Sequence, residues 1–145
     1  MTSLRNRMLV TAALALAAIA ASAVPASAKT VCAGSFTLPN EVRWQGWTFP
    51  AGDYTFRMDS VAKPNLITLK GPNGFAFVST IVADQDARNG QSSLTIVRRG
   101  GKAFVYDLYL APIGLRLKYP VPKAPKEELL AQGPVTTERI LVTTK

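Results

Sequence analysis

Two aspartates, Asp84 and Asp86, are the residues whose type and spacing come closest to a catalytic pair. Residues at i and i+2 of an extended strand share one face, and paired carboxylates carry out glycoside hydrolysis or help to coordinate calcium. The stretch around them lacks the further acidic ligands and the bidentate Glu of a calcium-binding loop. A solvated surface turn is therefore the favoured interpretation, and a hydrolase or lyase that uses the two aspartates is a minor alternative.

Nucleophilic and metal-dependent chemistry needs residues that this sequence lacks. There is no histidine and only one cysteine, Cys32, which excludes Ser-His-Asp and Cys-His arrangements and His-ligated metal sites. Glycine-rich phosphate loops and the nucleophile elbow are also missing. We therefore expect no enzyme activity, no metal site and no cofactor. Cys32 is interpreted as buried or N-terminal, while an intermolecular disulfide stays open in an oxidising compartment.

The aromatic residues concentrate around Trp44 and Trp47, with Arg43 and Arg57 nearby in the sequence. Exposed rings beside arginines can stack on sugars or nucleobases. Aromatic residues of a small β-domain are more typically part of its core. The sharper hypothesis is that one tryptophan is exposed at a hairpin end while the other fills the core.

The charge balance favours anionic partners. The chain has 17 Lys and Arg against 9 Asp and Glu, a net charge of +8. Such an excess attracts envelope polymers, lipid headgroups or nucleic acid. The charges are scattered except at Arg98, Arg99 and Lys102 and between Arg116 and Lys126, so a basic surface that only keeps the protein soluble is the favoured interpretation. No motif indicates specific recognition of nucleic acid.

Residues 1–28 have the pattern of an export signal. Arg5 and Arg7 precede an apolar run over 9–23, and Ala26-Ser27-Ala28 is an A-x-A cleavage site. The run is shorter than a membrane-spanning helix requires. We expect cleavage after Ala28, a periplasmic or extracellular location, no transmembrane segment afterwards, and a net charge that falls from +8 to +6 with the two arginines.

The remaining chain predicts an all-β domain over 35–111. Short β-branched and aromatic runs are separated by turn residues, which is typical of a small antiparallel sandwich or barrel, here of about seven to eight strands. Residues 112–145 read as a Pro-rich basic tail that cannot pair deeply within a sheet. Within it, 125–130 could form one short helix, and 136–145 is either a mobile tail or an edge strand.

Two strands have distinct patterns. Tyr54, Phe56 and Met58 alternate with polar residues, which predicts a strand with one aromatic inner face. The segment 75–82 is apolar on both faces, which predicts a central strand, the most buried of the fold. Replacing Phe77 by Ala is then expected to cost about 3–5 kcal/mol.

The turns predict the connections. Trp44-Gln45-Gly46-Trp47 fits a two-residue hairpin, and Pro50–Asp53 and Gly71–Gly74 fit tight turns. For Arg99-Gly100-Gly101 a three-residue loop is favoured over a two-residue turn, because it pairs Ile96 with Phe104 and Leu94 with Tyr106 and so gathers the large side chains on one face.

Five stretches together form a motif string: Phe36–Pro39, Phe49–Tyr54, Phe75–Val78, Leu94–Gly100 and Pro125–Leu129. They resemble a family of short secreted bacterial β-domain proteins that share F-x-[LV]-P, [LF]-P-A-G-x-Y and L-x-F-x-R-x-G motifs and a basic tail. The resemblance implies a fold more than an activity. The family pattern often has a histidine where this chain has Val97, so no polar site is implied at that position.

These observations favour a non-enzymatic exported β-domain that binds or supports an envelope component, such as an anionic polymer or another envelope protein. The alternative is a carbohydrate or anionic-polymer binding module that uses a tryptophan with nearby arginines. The candidate binding residues are Trp44, Trp47, Arg98, Arg99 and Lys102.

Overall fold

The computed structural model describes residues 29–86, 90–123 and 135–145. Over these residues the chain forms two β-sheets that pack as a sandwich, which confirms the all-β prediction. The expected signal segment 1–28 and the expected helix at 125–130 lie outside the described residues. In the described part of the chain, no helix is long and apolar enough to cross a membrane.

Twelve strands and one short 3-10 turn occur in the described residues, more strands than the sequence predicted, because four of them have only two or three residues. The strands are β1 (Cys32–Leu38), β2 (Val42–Trp44), β3 (Trp47–Phe49), β4 (Gly52–Met58), β5 (Asn65–Gly71), β6 (Gly74–Thr80), β7 (Ala83–Gln85), β8 (Ser93–Arg99), β9 (Lys102–Leu110), β10 (Leu115–Lys118), β11 (Thr136–Leu141) and β12 (Thr143–Thr144), and the 3-10 turn is Ala111–Ile113.

The first sheet, sheet A, has the order β12-β1-β4-β5-β6, and all its pairs are antiparallel. In β4, Tyr54, Phe56 and Met58 are buried while Thr55 and Arg57 are exposed. This alternation confirms the predicted aromatic inner face. It follows from the period of two of a strand with one face in the core.

The second sheet, sheet B, has the order β11-β8-β9-β10-β7. The β2–β3 hairpin adds to it through a parallel pairing of Arg43 with Phe104 on β9. The core lies between the sheets, where Phe36 stacks on Tyr54 with ring centroids 5.6 Å apart and Trp44 meets Tyr119 edge-on at 5.0 Å. Phe36 of sheet A also contacts Trp44 of sheet B, with ring centroids 6.4 Å apart, so aromatic residues of both sheets pack together in the core.

The prediction that 75–82 forms a central strand is wrong. β6 is the edge strand of sheet A, and Phe75 and Phe77 are 70% and 59% exposed. Only the alternate residues of β6 turn inward, such as Val78, which is 1% exposed. An edge strand with one covered face cannot bury both sets of side chains, so the large cost expected for Phe77→Ala does not apply.

Two predicted turns are confirmed. Trp44 pairs with Trp47 across a two-residue turn in which Gln45 and Gly46 have φ values of 50° and 83°, as a tight hairpin requires. Gly71 pairs with Gly74 at the β5–β6 turn. The Pro50–Asp53 segment instead carries the chain from β3 in sheet B to β4 in sheet A.

The three-residue loop expected at Arg99-Gly100-Gly101 is wrong. Arg99 pairs with Lys102 across a two-residue turn, in which Gly100 and Gly101 have φ values of 53° and 70°. A β-bulge at Tyr106 then shifts the register, so that Leu94 pairs with Leu108 rather than with an acidic residue. The bulge places the large side chains inward without a longer loop.

The segment after 112 also enters the sheets. β10 lies between β9 and β7, so the expectation that this basic stretch cannot pair deeply is wrong. Leu115–Lys118 contains no proline, and its amides are therefore free to bond on both sides. β11 forms the edge of sheet B and β12 that of sheet A, with the buried Val142 between them.

Cys32 begins β1 as a free thiol that is 2% exposed. Burial raises the pKa of this thiol, because the low-dielectric surroundings disfavour the thiolate. The residue is thus a small apolar member of the core rather than a reactive group.

Candidate functional site

The two tryptophans have different environments. Trp44 is 1% exposed and contacts Phe49 and Tyr119 in the core, whereas Trp47 is 61% exposed. The hypothesis of one buried and one exposed indole is therefore confirmed. Trp44 is too deep to touch a ligand, and Trp47 borders a hollow of about 160 Å³ whose opposite wall includes Phe75.

The three basic residues of the β8–β9 hairpin are not equivalent. Arg98 forms an ion pair with Glu138 of β11 at 3.1 Å, which engages its guanidinium in the sheet. Arg99 donates a hydrogen bond to the carbonyl of Pro122 at 3.3 Å. Lys102 is exposed. Arg98 is consequently a poor candidate for ligand binding, and Arg99 and Lys102 remain.

A groove lies beside this hairpin, on the outer side of β2 and β9. Its volume is about 500 Å³, and we call it the basic groove; its lining residues are Arg43, Gln45, Gly46, Phe104, Pro120, Val121 and Pro122. Arg43 is exposed and Phe104 is half-buried, so a cation stands next to an aromatic wall. Such a combination can hold an anionic group beside an apolar ring face.

The hairpin cations extend the basic groove. Arg99 bonds to Pro122, one of the lining residues, and Lys102 precedes Phe104 by two positions on β9, so the two side chains share a face. The structure thus brings Arg43, Arg99 and Lys102 to one surface. Sequence reasoning did not choose Arg43 as a binding residue, although its place between Val42 and Trp44 in an alternating strand indicates an outward position.

The acidic residues are neutralised by a neighbouring strand. Arg116 of β10 bonds through Nε to Asp86 at 2.8 Å and through Nη1 to Asp107 at 3.0 Å. Lys118 pairs with Asp84. Burial lowers the pKa of Arg116, but its hydrogen bonds and charge interactions with Asp86 and Asp107 outweigh this effect and raise it. The hydrogen bond and charge of Asp84 raise the pKa of Lys118.

This arrangement weighs against a catalytic role for Asp84 and Asp86. Both carboxylates are held by basic side chains of β10, whereas a catalytic acid or base must be able to reach the substrate. Across the three described ranges, no group of three or more Cys, Asp or Glu side chains is placed to hold a metal ion.

No family model, curated protein or solved structure matches this chain. The function must therefore be argued from the surface of the chain itself.

Proposed function

We propose that the protein is a non-enzymatic, exported β-domain that binds an anionic polymer of the cell envelope. The observation that carries the proposal is the basic groove, in which Arg43 lies beside Phe104. The export pattern of residues 1–28 and the net charge of +6 that remains without Arg5 and Arg7 support the same proposal.

The chemistry of the groove fits repeated negative charges. Arg43, Arg99 and Lys102 approach it from β2, β8 and β9, so successive anionic groups of one chain can meet successive cations. Arginine binds carboxylate, sulfate or phosphate through two parallel hydrogen bonds. The proline and aromatic walls give the apolar part of a sugar ring a surface to lie on.

The test compares two charge-matched variants. One is the triple variant Arg43→Gln, Arg99→Gln and Lys102→Gln; the control is Lys29→Gln, Arg139→Gln and Lys145→Gln, three exposed cations elsewhere. Affinity for an anionic envelope extract and for dextran sulfate is measured at about 0.05 M and about 0.2 M salt. We expect the groove variant to bind at least about tenfold more weakly, a loss of about 1.4 kcal/mol, and the control to change much less.

Salt must also weaken wild-type binding, since each neutralised charge releases counterions and screening grows with ionic strength. Equal losses of affinity in both variants would mean that binding depends on net charge alone, and the basic groove would then not be the binding site. Salt-independent binding that disappears in Trp47→Ala would favour the carbohydrate alternative instead.

A further inference from the structure

The edge hairpin of sheet A exposes an unusual number of large apolar side chains. We call this surface the apolar ridge; its members and their exposed fractions are Val61 55%, Leu66 49%, Phe75 70%, Phe77 59%, Ile81 69% and Val82 50%. Single exposed apolar residues are ordinary, but a contiguous group marks an interaction surface.

The geometry of the hairpin makes the ridge continuous. Phe75 and Phe77 are two apart on β6, so both rings project from the outer face about 7 Å from each other. Ile81 and Val82 follow directly after the strand ends at Thr80. At about 3.3 Å per residue, the ridge extends for roughly 20 Å from Phe75 to Ile81.

The ridge itself carries only positive charges. Residues 60–83 contain Lys63 and Lys70 and no aspartate or glutamate, and the flanking Asp59 and Asp84 are ion-paired with Arg57 and Lys118. Lys70 pairs with Phe75 across the hairpin, and its ammonium lies 5.6 Å from the centre of the Phe75 ring. Aromatic rings and cations are thus interleaved on one face, and the acidic residues beside them have cationic partners.

The exposed rings and lysines favour a lipid surface, rather than a second copy of the chain, as the partner of the apolar ridge. Two ridges packed together would bring lysines of the same sign into one interface, which is unfavourable. The rings also project from the edge of the sandwich, and a deformable bilayer accepts projecting side chains without a matching pocket. Aromatic rings favour the bilayer interface, and lysines near an anionic surface each contribute about 1 kcal/mol.

We propose that the apolar ridge docks the protein on the surface of an anionic lipid bilayer. Phe75 and Phe77 enter the headgroup boundary, while Lys63 and Lys70 contact lipid phosphates above it. The long lysine stems allow the ammonium groups to reach the headgroups as the rings become buried. This surface lies on sheet A, whereas the basic groove lies on sheet B, so either proposal can fail without the other.

The test uses protein purified after export and vesicles of equal parts phosphatidylglycerol and phosphatidylcholine, with pure phosphatidylcholine as the neutral comparison. The ridge variant is Phe75→Thr with Phe77→Thr, because threonine, like phenylalanine, is favoured in strands. Its matched control is Leu141→Thr, because Leu141 is 64% exposed on β11 of the other sheet. Circular dichroism and thermal melting verify that all variants fold alike.

We expect co-sedimentation of the wild type with the anionic vesicles and much weaker association with neutral ones. The ridge variant should lose at least about tenfold in affinity, as expected from two rings that no longer enter the interface, and the control should stay within about twofold. Lys63→Gln with Lys70→Gln should lose about thirtyfold on anionic vesicles only. An unchanged ridge variant, an equal loss in the Leu141 control, or no wild-type binding to vesicles would overturn the proposal; so would concentration-dependent dimerisation that the ridge variant abolishes without any vesicle binding.

Discussion

The outer faces of the two sheets reverse the usual relation between polarity and burial. On sheet A, Phe75 and Phe77 are apolar and exposed, while on sheet B, Thr95 and Asp107 are polar and only 9% and 4% exposed. The difference does not come from the edge position of β6, because Leu66 on the interior strand β5 is also 49% exposed. On sheet B the side chain of Arg116 lies against Asp107 and over the ring of Tyr109. What covers the outer face of a sheet therefore decides the burial of its side chains.

Thr95 and Asp107 of sheet B have hydrogen-bond partners. Thr95 donates a hydrogen bond to Asp107 at 3.0 Å, and Arg116 bonds to the other oxygen of the same carboxylate at 3.0 Å. The guanidinium of Arg116 also lies 5.2 Å from the ring centre of Tyr109. A charged group can be buried when its hydrogen bonds are satisfied. This network therefore allows polar side chains to occupy buried positions on sheet B.

The largest effect should come from removing the centre of that network. Arg116→Met leaves Asp86 and Asp107 without this cation, and we expect unfolding free energy to fall by about 3–5 kcal/mol, because a buried charge loses its partner. The control is Arg57→Met on sheet A, where the exposed Arg57 pairs with Asp59 at 2.9 Å; its cost should be about 0–1 kcal/mol. Chemical denaturation measures both, and equal losses would contradict the contrast between the faces.

A pair of identical substitutions sharpens the comparison within the apolar residues. Leu94 of β8 is 0% exposed and Leu66 of β5 is 49% exposed. Leu94→Ala should cost about 2–5 kcal/mol, since it removes core contacts and leaves a cavity. Leu66→Ala should stay within about 0.5 kcal/mol, as for other surface changes. Similar values for the two would mean that the ridge is covered in solution.

The smallest effect at neutral pH concerns a buried polar group without a partner. The Tyr119 hydroxyl has no hydrogen-bond partner among the described residues, and burial raises its pKa. Because the pKa of Tyr119 is raised in the folded state, its full contribution to the free energy of unfolding is present below the unfolded pKa of about 10. As the pH rises above that value, this contribution is lost by about 1.4 kcal/mol per pH unit. Tyr119→Phe should be nearly neutral at pH 7 and reduce this alkaline loss.

Unfolding titrations of wild type and Tyr119→Phe at about pH 7 and about pH 11 measure the difference. Burial also raises the pKa values of Tyr54 and Cys32, so part of the alkaline loss should persist in the variant. A variant as alkali-sensitive as the wild type would show that Tyr119 does not ionise on unfolding.

The sequence correctly predicted the features that depend only on residues close together in the chain. The alternation of Tyr54, Phe56 and Met58 and the positive φ available to Gly46 were sufficient to locate a half-buried strand and a hairpin. The place of β6 in its sheet was not predictable in this way, because apolar composition on both faces cannot distinguish a central strand from an edge strand that presents a surface. The bulge at Tyr106 was missed because its benefit depends on the pairing of Leu94 with Leu108.

The candidate site, like the fold, was predictable from the sequence only in part. The exposure of one of the two tryptophans and the basic hairpin followed from spacing and charge, but the sequence did not indicate which tryptophan is exposed. Arg98 was counted as available because its partner, Glu138, lies on a strand that the sequence left undecided. Arg43 was named only as a neighbour of the tryptophans, because the parallel pairing that brings it beside Phe104 joins residues that are distant in the sequence.

The C-terminal strands have a consequence for how the domain forms. β11 completes one sheet and β12 the other, where Gly34 pairs with Thr144 and the amide of Lys145 bonds to the Ala33 carbonyl. Strand pairs between residues so distant in the sequence form slowly, because the long loop between them must first lose conformational entropy. Until β11 and β12 have joined the two sheets, β8 and β1 each keep an open edge, where unpaired amide and carbonyl groups can bond to another chain.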